Sequence, residues 1–319
     1  MSLNRKMTRA PIWWIVALSL VVAWPVVAAS SRSDVEADPQ VVGAAESPLR
    51  RPTSQVEPLN VMTFNIRYGT ANDGDNDWSL RREAVFEVIE AFRVDVLGVQ
   101  EALNSQLAEI SAALPGYRRI GVGRDDGAEA GEYSAILVDS SRFEVLDEGT
   151  FWFSDTPDVP GSTSWGNEIP RICTFAHLRD GPANRTFWVF NVHWDHVSQP
   201  SRERAAELLM ATIGERAAGE PVLITGDFNA GEDNPAFRYL LDSEGALALG
   251  MFDTFRDVHP DATDVGTFNG FEGNTDGDKI DAILASSGWA VLAADIIRTR
   301  RQGRYPSDHF PVIATLALR

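Results

Sequence analysis

Short apolar runs rich in β-branched residues, many of them ending at a side chain that carries an oxygen or an imidazole, limit most sharply how this chain can fold. Residues 59–66, 94–100, 134–138, 174–178, 186–193, 222–225, 280–285 and 312–317 have the length and composition of strands. Apolar spacing of three and four predicts helices over 78–92, 103–114, 201–217 and 235–242. With so many strands and so few helices between them, a singly wound parallel sheet cannot be assembled. The pattern predicts α/β architecture of the four-layer αββα kind, two mixed sheets packed face to face with helices outside.

The first part of the chain stands apart from this pattern. Arg5, Lys6 and Arg9 precede an almost unbroken apolar run over 12–29 that ends in small residues, the layout of a secretory signal peptide. Export to the periplasm or the extracellular space is expected. The alternative is an uncleaved N-terminal anchor, which would then be the chain's only contact with a membrane. Residues 30–57 carry Ser, Asp, Glu and repeated Pro without periodicity and read as a disordered linker. The remainder, 58–319, reads as one catalytic domain. Cys173 is the single cysteine, so no intrachain disulfide and no cysteine-rich zinc site can form, and a buried, inert thiol in a monomer is expected.

The chemistry gathers where the apolar runs stop. Asn65, Glu101, His193 with Asp195, Asp227 with Asn229, Asp281, and Asp308 with His309 sit at or beside strand ends, and Glu132 precedes one. Each alone reads as a turn former or cap. Repetition changes the reading, and Gly226-Asp227-Phe228-Asn229 and Ser307-Asp308-His309 are the least ordinary segments. Oxygen donors without thiolates suit a hard divalent cation, Mg2+ or Mn2+ with Ca2+ possible, better than zinc.

These segments, with Phe64-Asn65-Ile66-Arg67, Val99-Gln100-Glu101, Gly131-Glu132-Tyr133, Pro170-Arg171-Ile172, Phe190-Asn191-Val192-His193 and Lys279-Ile280-Asp281, follow one another as they do in the endonuclease/exonuclease/phosphatase superfamily, which the chain resembles from about Leu59 onward. The resemblance implies the DNase-I-like sandwich and a metal-dependent phosphoesterase. It implies that Asn65 and Glu101 hold the ion with Asp308 on the same side, and that Asp227 and Asn229 position an attacking water or a second ion. It further implies that His309, oriented by a carboxylate, is general base or phosphate-polarising group, that His193, oriented by Glu132, touches the scissile phosphate, and that Arg171 holds a non-bridging oxygen. Asp281 is expected to support His193 or the phosphate. The His193-Trp194-Asp195-His196 segment departs from the broad family, and Asp195 and His196 either extend the site or begin a loop.

Charge bears on the substrate. Lys+Arg number 28 against Asp+Glu 46, a formal charge of -18, and without the first 29 residues Lys279 would be the only lysine. So acidic a chain is not expected to hold nucleic acid stably, because phosphate contacts need Lys or Arg that displace counterions. A small, or lipid- or sugar-linked, phosphoester is the expected substrate. Arg81-Arg82, Arg118-Arg119 and the arginines over 298–304 are candidates for a local phosphate patch. Phe151-Trp152-Phe153, Trp165, Trp78, Trp194 and Phe271 are candidates for stacking on a base or sugar. A secreted nuclease, a catalytically silent binding module and an enzyme acting on polysaccharide are the alternatives.

Overall fold

Alternation along the strands sets the layers. In β1 (Leu59–Asn65), Leu59 and Val61 point into one apolar cluster while Met62 and Phe64 point into another, as the period of two requires. The computed structural model describes residues 57–319. The segment read as a signal, and the linker up to its last residue, lie outside the described residues.

From β1 the chain passes through α1 (Trp78–Ala91), β2 (Val96–Ala102), α2 (Asn104–Ala113), β3 (Tyr117–Ile120), β4 (Tyr133–Asp139), β5 (Phe143–Trp152), β6 (Ile172–Asp180) and β7 (Arg185–His193). It continues through α3 (Gln199–Ala217), β8 (Val222–Asp227), α4 (Pro235–Asp242), α5 (Glu244–Leu249), β9 (Phe252–Asp253), α6 (Thr254–Val258), β10 (Asp281–Ala285), β11 (Trp289–Ile296) and β12 (Val312–Leu318). One sheet runs β11-β12-β1-β2-β4-β3 and the other β5-β6-β7-β8-β10-β9. Each is mixed, with parallel pairs at β1/β2 and β7/β8 among antiparallel neighbours. Val61, Val96, Leu178, Val189 and Leu223 fill the space between the sheets. Val85, Ile89 and Leu107 cover the outside of the first sheet, and Leu209, Ile213 and Phe237 cover the outside of the second. The expected four layers are present.

Helix starts follow local chemistry. Ser198 caps α3 by accepting from the Ser201 amide, and Asn234 caps α4 by accepting from Ala236, each with proline in the first turn. The strands that periodicity did not predict are β3, β5, β9 and β11, which are the four sheet edges. Edge strands carry charge that blunts further pairing: Arg118 and Arg119 in β3, and Glu144, Asp147 and Glu148 in β5. That charge erases the apolar signature.

The aromatic segments expected to be free for stacking are mostly core. Phe153 and Trp194 are 0% exposed, and Trp78, Phe151 and Trp152 are also buried. Several arginines of the expected patches are otherwise engaged as well. Arg81 is buried, Arg82 pairs with Glu109, Arg118 with Glu148, and Arg301 with Glu87.

Beneath the end where β1, β7 and β8 finish, the two sheets are joined by polar side chains. Gln100 donates to Asn191 Oδ1 at 2.7 Å, and Asn191 Nδ2 donates at 2.9 Å to the carbonyls of Val99 and Ala135. Gly98 leaves room for this layer, since a Cβ there would meet Thr225 Oγ1 at 2.2 Å and Asn191 Oδ1 at 2.6 Å. Overfilling a packed interior typically costs about 1–3 kcal/mol. Gly98→Ala is therefore expected to lower the stability measured by urea unfolding by about that amount; an unchanged midpoint would contradict the packing described.

Candidate active site

Three neighbouring strands of the second sheet place polar side chains in one row. His193 ends β7 and Asp227 ends β8 in parallel register beside it, while Asp281 opens β10 opposite Asp227. In the first sheet Asn65 ends β1, and Glu101 follows its strand partner Gln100 in β2. Asp308 and His309 precede β12, which lies antiparallel beside β1. Two sheets therefore present their polar ends to one cavity of about 520 Å³.

Local backbone geometry aims several of these groups. Glu101, Asn229 and Arg67 have φ of 59, 47 and 56°, a left-handed conformation that non-glycine residues adopt rarely and at a cost of about 1–3 kcal/mol. Glu101 sits at a register shift between β2 and β4, where a bulge redirects the side chain. Arg81, 2% exposed, donates to the carbonyls of Ile66, Arg67, Asn76 and Pro306. It fastens the end of β1 to the segment that carries Asp308.

Asn65 Nδ2 donates to Glu101 Oε1 at 3.1 Å and to Asp227 Oδ2 at 2.9 Å. Asp227 Oδ1 accepts from the Asn229 amide at 2.9 Å, and the Asn229 side chain donates to the Trp194 carbonyl at 3.0 Å. The same Asp227 Oδ2 lies 3.7 Å from His193 Nε2 and 3.8 Å from His309 Nε2. His309 Nδ1 is 2.8 Å from Asp281 Oδ2. The carboxylate expected to orient His309 is thus Asp281, which bonds that ring rather than His193. Glu132 does not orient His193 either: it accepts two bonds from Arg124, at 2.7 and 2.8 Å.

His193 is governed by Arg171. Arg171 Nη1 is 3.1 Å from His193 Nε2 and Nη2 is 2.8 Å from His196 Nδ1. Guanidinium can only donate, so each ring turns an acceptor nitrogen toward Arg171. Asp195 receives the third Arg171 contact at 3.4 Å and accepts from the amides of Val197 and Ser198. It therefore holds the arginine and shapes the turn into α3, while His196 lines the cavity.

The electrostatics divide the two histidines that flank Asp227. Burial and the nearby Arg171 and Arg124 guanidiniums hold His193 well below the usual histidine range. Burial also opposes charge on His309, but the Asp281 and Asp227 carboxylates outweigh it and hold His309 well above that range. Burial and the adjacent Asp281 push Asp227 up to about 7. Groups whose environments drive their pKa values apart take opposite roles in proton transfer.

On the other side of Asn65 the carboxylates converge on a cation. Arg67, to which the sequence pattern assigns no role, lies 3.9 Å from Glu101 Oε2 and 3.7 Å from Asp308 Oδ2 and pairs with Asp73 at 3.1 Å. Burial and the charge of Glu101 raise Asp308, although His309 opposes the shift. These two carboxylates, with the Asn65 side chain bonded to Glu101, supply hard donors suited to a divalent cation. Among the described residues Asp227, Asp281 and His309 also bring ligand-type atoms within 4.8 Å of one another. Arg124 and Phe268, both lining the cavity, were missed because they lie in irregular segments without periodicity.

Residues 62–309 match the model of the endonuclease/exonuclease/phosphatase family. The chain belongs to that family. Its members are phosphoesterase hydrolases, and the two mixed sheets with flanking helices are their DNase-I-like sandwich. An endonuclease/exonuclease/phosphatase protein from Bacteroides vulgatus is 33% identical, with a TM-score of 0.76, covering 82% of this chain and 99% of its own. A mannosyl-6-phosphatase from Bacteroides thetaiotaomicron is 31% identical, with a TM-score of 0.73, over 82% of this chain and 100% of its own. An uncharacterised protein of Acanthamoeba polyphaga mimivirus is 27% identical over 223 residues, 67% of this chain and 82% of the relative.

The His309–Asp281 pair has a definite sign in pH dependence. The folded pKa of His309 lies above its ordinary value of 6.5, so the pairing contributes fully below that pH and is lost as pH rises through the folded value. In Asp281→Asn the His309 ring, followed by NMR in metal-free protein, is expected to titrate at lower pH, and the loss of stability should be largest in acid. An unchanged His309 titration would show that Asp281 does not hold its proton.

Proposed function

We propose that this family member is a divalent-metal-dependent phosphomonoesterase whose substrate is a small sugar phosphate. The observation that carries the reading is the set of phosphate-binding donors on the cavity wall, where Arg67, Arg124, Arg171 and His309 stand among the carboxylates of Glu101, Glu132, Asp227 and Asp308. A monoester brings a dianion, and that wall with one added cation suits it better than it suits a monoanionic diester. The likeness to a mannosyl-6-phosphatase supports the sugar class. The buried state of Arg81 and the pairing of Arg82 and Arg118 with glutamates argue against a groove for a long polyanion. The apolar run over 12–29 supports action after export.

Glu101, Asp308 and Asn65 are the groups that would hold the cation, and Mg2+ suits a site with one or two protein carboxylates. When bound, it would supply Lewis-acid charge for the phosphate and the leaving oxygen. Asp227, raised toward neutrality and backed by Asn229, accepts the proton of the attacking water. The water oxygen bonds to phosphorus as the bond to the alcohol breaks, and the alkoxide takes its proton from solvent. His309 lies only 3.8 Å from Asp227, too close for the two to stand on opposite sides of phosphorus in an in-line displacement. It therefore donates to a non-bridging oxygen. Arg171 and His193 form the facing wall.

Purified protein with Mg2+ is expected to hydrolyse p-nitrophenyl phosphate and hexose phosphates with higher kcat/KM than bis-p-nitrophenyl phosphate, and EDTA should abolish turnover. Glu101→Gln should reduce kcat/KM by about 10²-fold or more, as removal of a group that organises transition-state charge does. Preference for the diester, or full activity of the variant in EDTA, would overturn the reading.

A further inference from the structure

We propose that Phe268 is the platform on which the leaving group lies, and that it selects a leaving group with a flat apolar ring face, a pyranose, over an open-chain alcohol. The inference rests on the phosphomonoesterase reading above and assigns a specificity residue within it. Phe268 is 52% exposed, and among the described residues it and Ile169, at 36%, are the only large exposed apolar side chains that line the cavity. Isolated exposed apolar residues need no explanation. A solvent-facing phenyl ring on the wall of a cavity lined mostly by charged and polar side chains is different, because burying it against a ligand would gain what its exposure now costs.

The ring is held in place. Phe268 forms a bridge with His309, with the Phe310 amide donating to the Thr267 carbonyl at 2.7 Å. The Asn269 amide donates to the Asp308 carbonyl at 2.6 Å, and the Asn269 side chain to the Ser307 carbonyl at 3.2 Å. Gly270 and Phe271 then turn the chain away through φ of 61 and 63°. Side-chain position is thus tied to the segment that carries Asp308 and His309. Phe268 and His309 have ring centroids 5.2 Å apart at 73°, so the phenyl ring borders the imidazole that contacts the phosphoryl group. A substituent that leaves phosphorus toward the mouth passes over it.

A hexose 6-phosphate places its ring one methylene from the scissile oxygen, with a C–H face for the phenyl ring and hydroxyls for the Arg124–Glu132 pair and His196 across the cavity. Glycerol 3-phosphate has the same phosphate and no ring. Kinetics on both esters in Mg2+ for wild type, Phe268→Leu and Phe268→Tyr test the assignment. The ratio of kcat/KM for the hexose ester to that for the glycerol ester should fall about tenfold in Phe268→Leu, the size expected for losing one aromatic stack, mainly through KM. It should be retained within a few-fold in Phe268→Tyr. A ratio unchanged in Phe268→Leu, even if both rates fall, would overturn the platform and leave Phe268 as packing for His309. Failure of the wild type to hydrolyse either ester would overturn the phosphomonoesterase reading itself, and the platform with it.

Discussion

The amide of Asn65 is the contact on which the geometry of the site depends. It is completely buried and gives one proton to Glu101 in its own sheet and the other to Asp227 in the opposing sheet. Its oxygen accepts from the Arg67 amide, so each of its three contacts fixes a different element of the site. Buried carboxylates facing each other without such a donor would repel and protonate. The Gln100–Asn191 layer just below sets the spacing that lets one amide reach both sides. Polar groups in the core are thus arranged for register at the cavity rather than for stability alone.

From that fixed point the charges separate. Asp227 takes two histidines as neighbours, but Arg171 keeps one neutral while Asp281 keeps the other protonated. The same residue type, at nearly equal distance from the same oxygen, therefore sits in two opposite electrostatic environments. Glu101 and Asp308 lie on the far side of Asn65, with Arg67 between them. Of the carboxylates around the cavity, Asp227 and Asp281 lie with the histidines, while Glu101 and Asp308 form the pair suited to a cation.

Much of this was legible in the sequence, for a physical reason. Central strands such as β1, β7 and β8 are buried on both faces and read as continuous apolar runs, and their last residues are the site residues. Edge strands lack that signature, so β3, β5, β9 and β11 were not seen. Side-chain partnerships were harder to read than positions. Glu132 and Asp281 both line up with strand ends, yet which histidine each serves depends on loop closure, and Arg124, invisible to periodicity, takes Glu132 for itself. Aromatic residues misled in the opposite sense. Those with the strongest local patterns were strand residues facing the core, while Phe268, in an irregular segment, is the ring at the cavity mouth.

The central claim is that the cation belongs with Asn65, Glu101 and Asp308, while Asp281 and His309 stay a proton-bearing pair beside Asp227. Anomalous diffraction at the manganese edge, from crystals grown with Mn2+ and inorganic phosphate, tests it most directly. The account predicts a principal anomalous peak against Glu101, with Asn65 and Asp308 nearest, and phosphate oxygens within hydrogen-bonding distance of His309 and Arg171. A principal peak coordinated by His309 and Asp281 would contradict it.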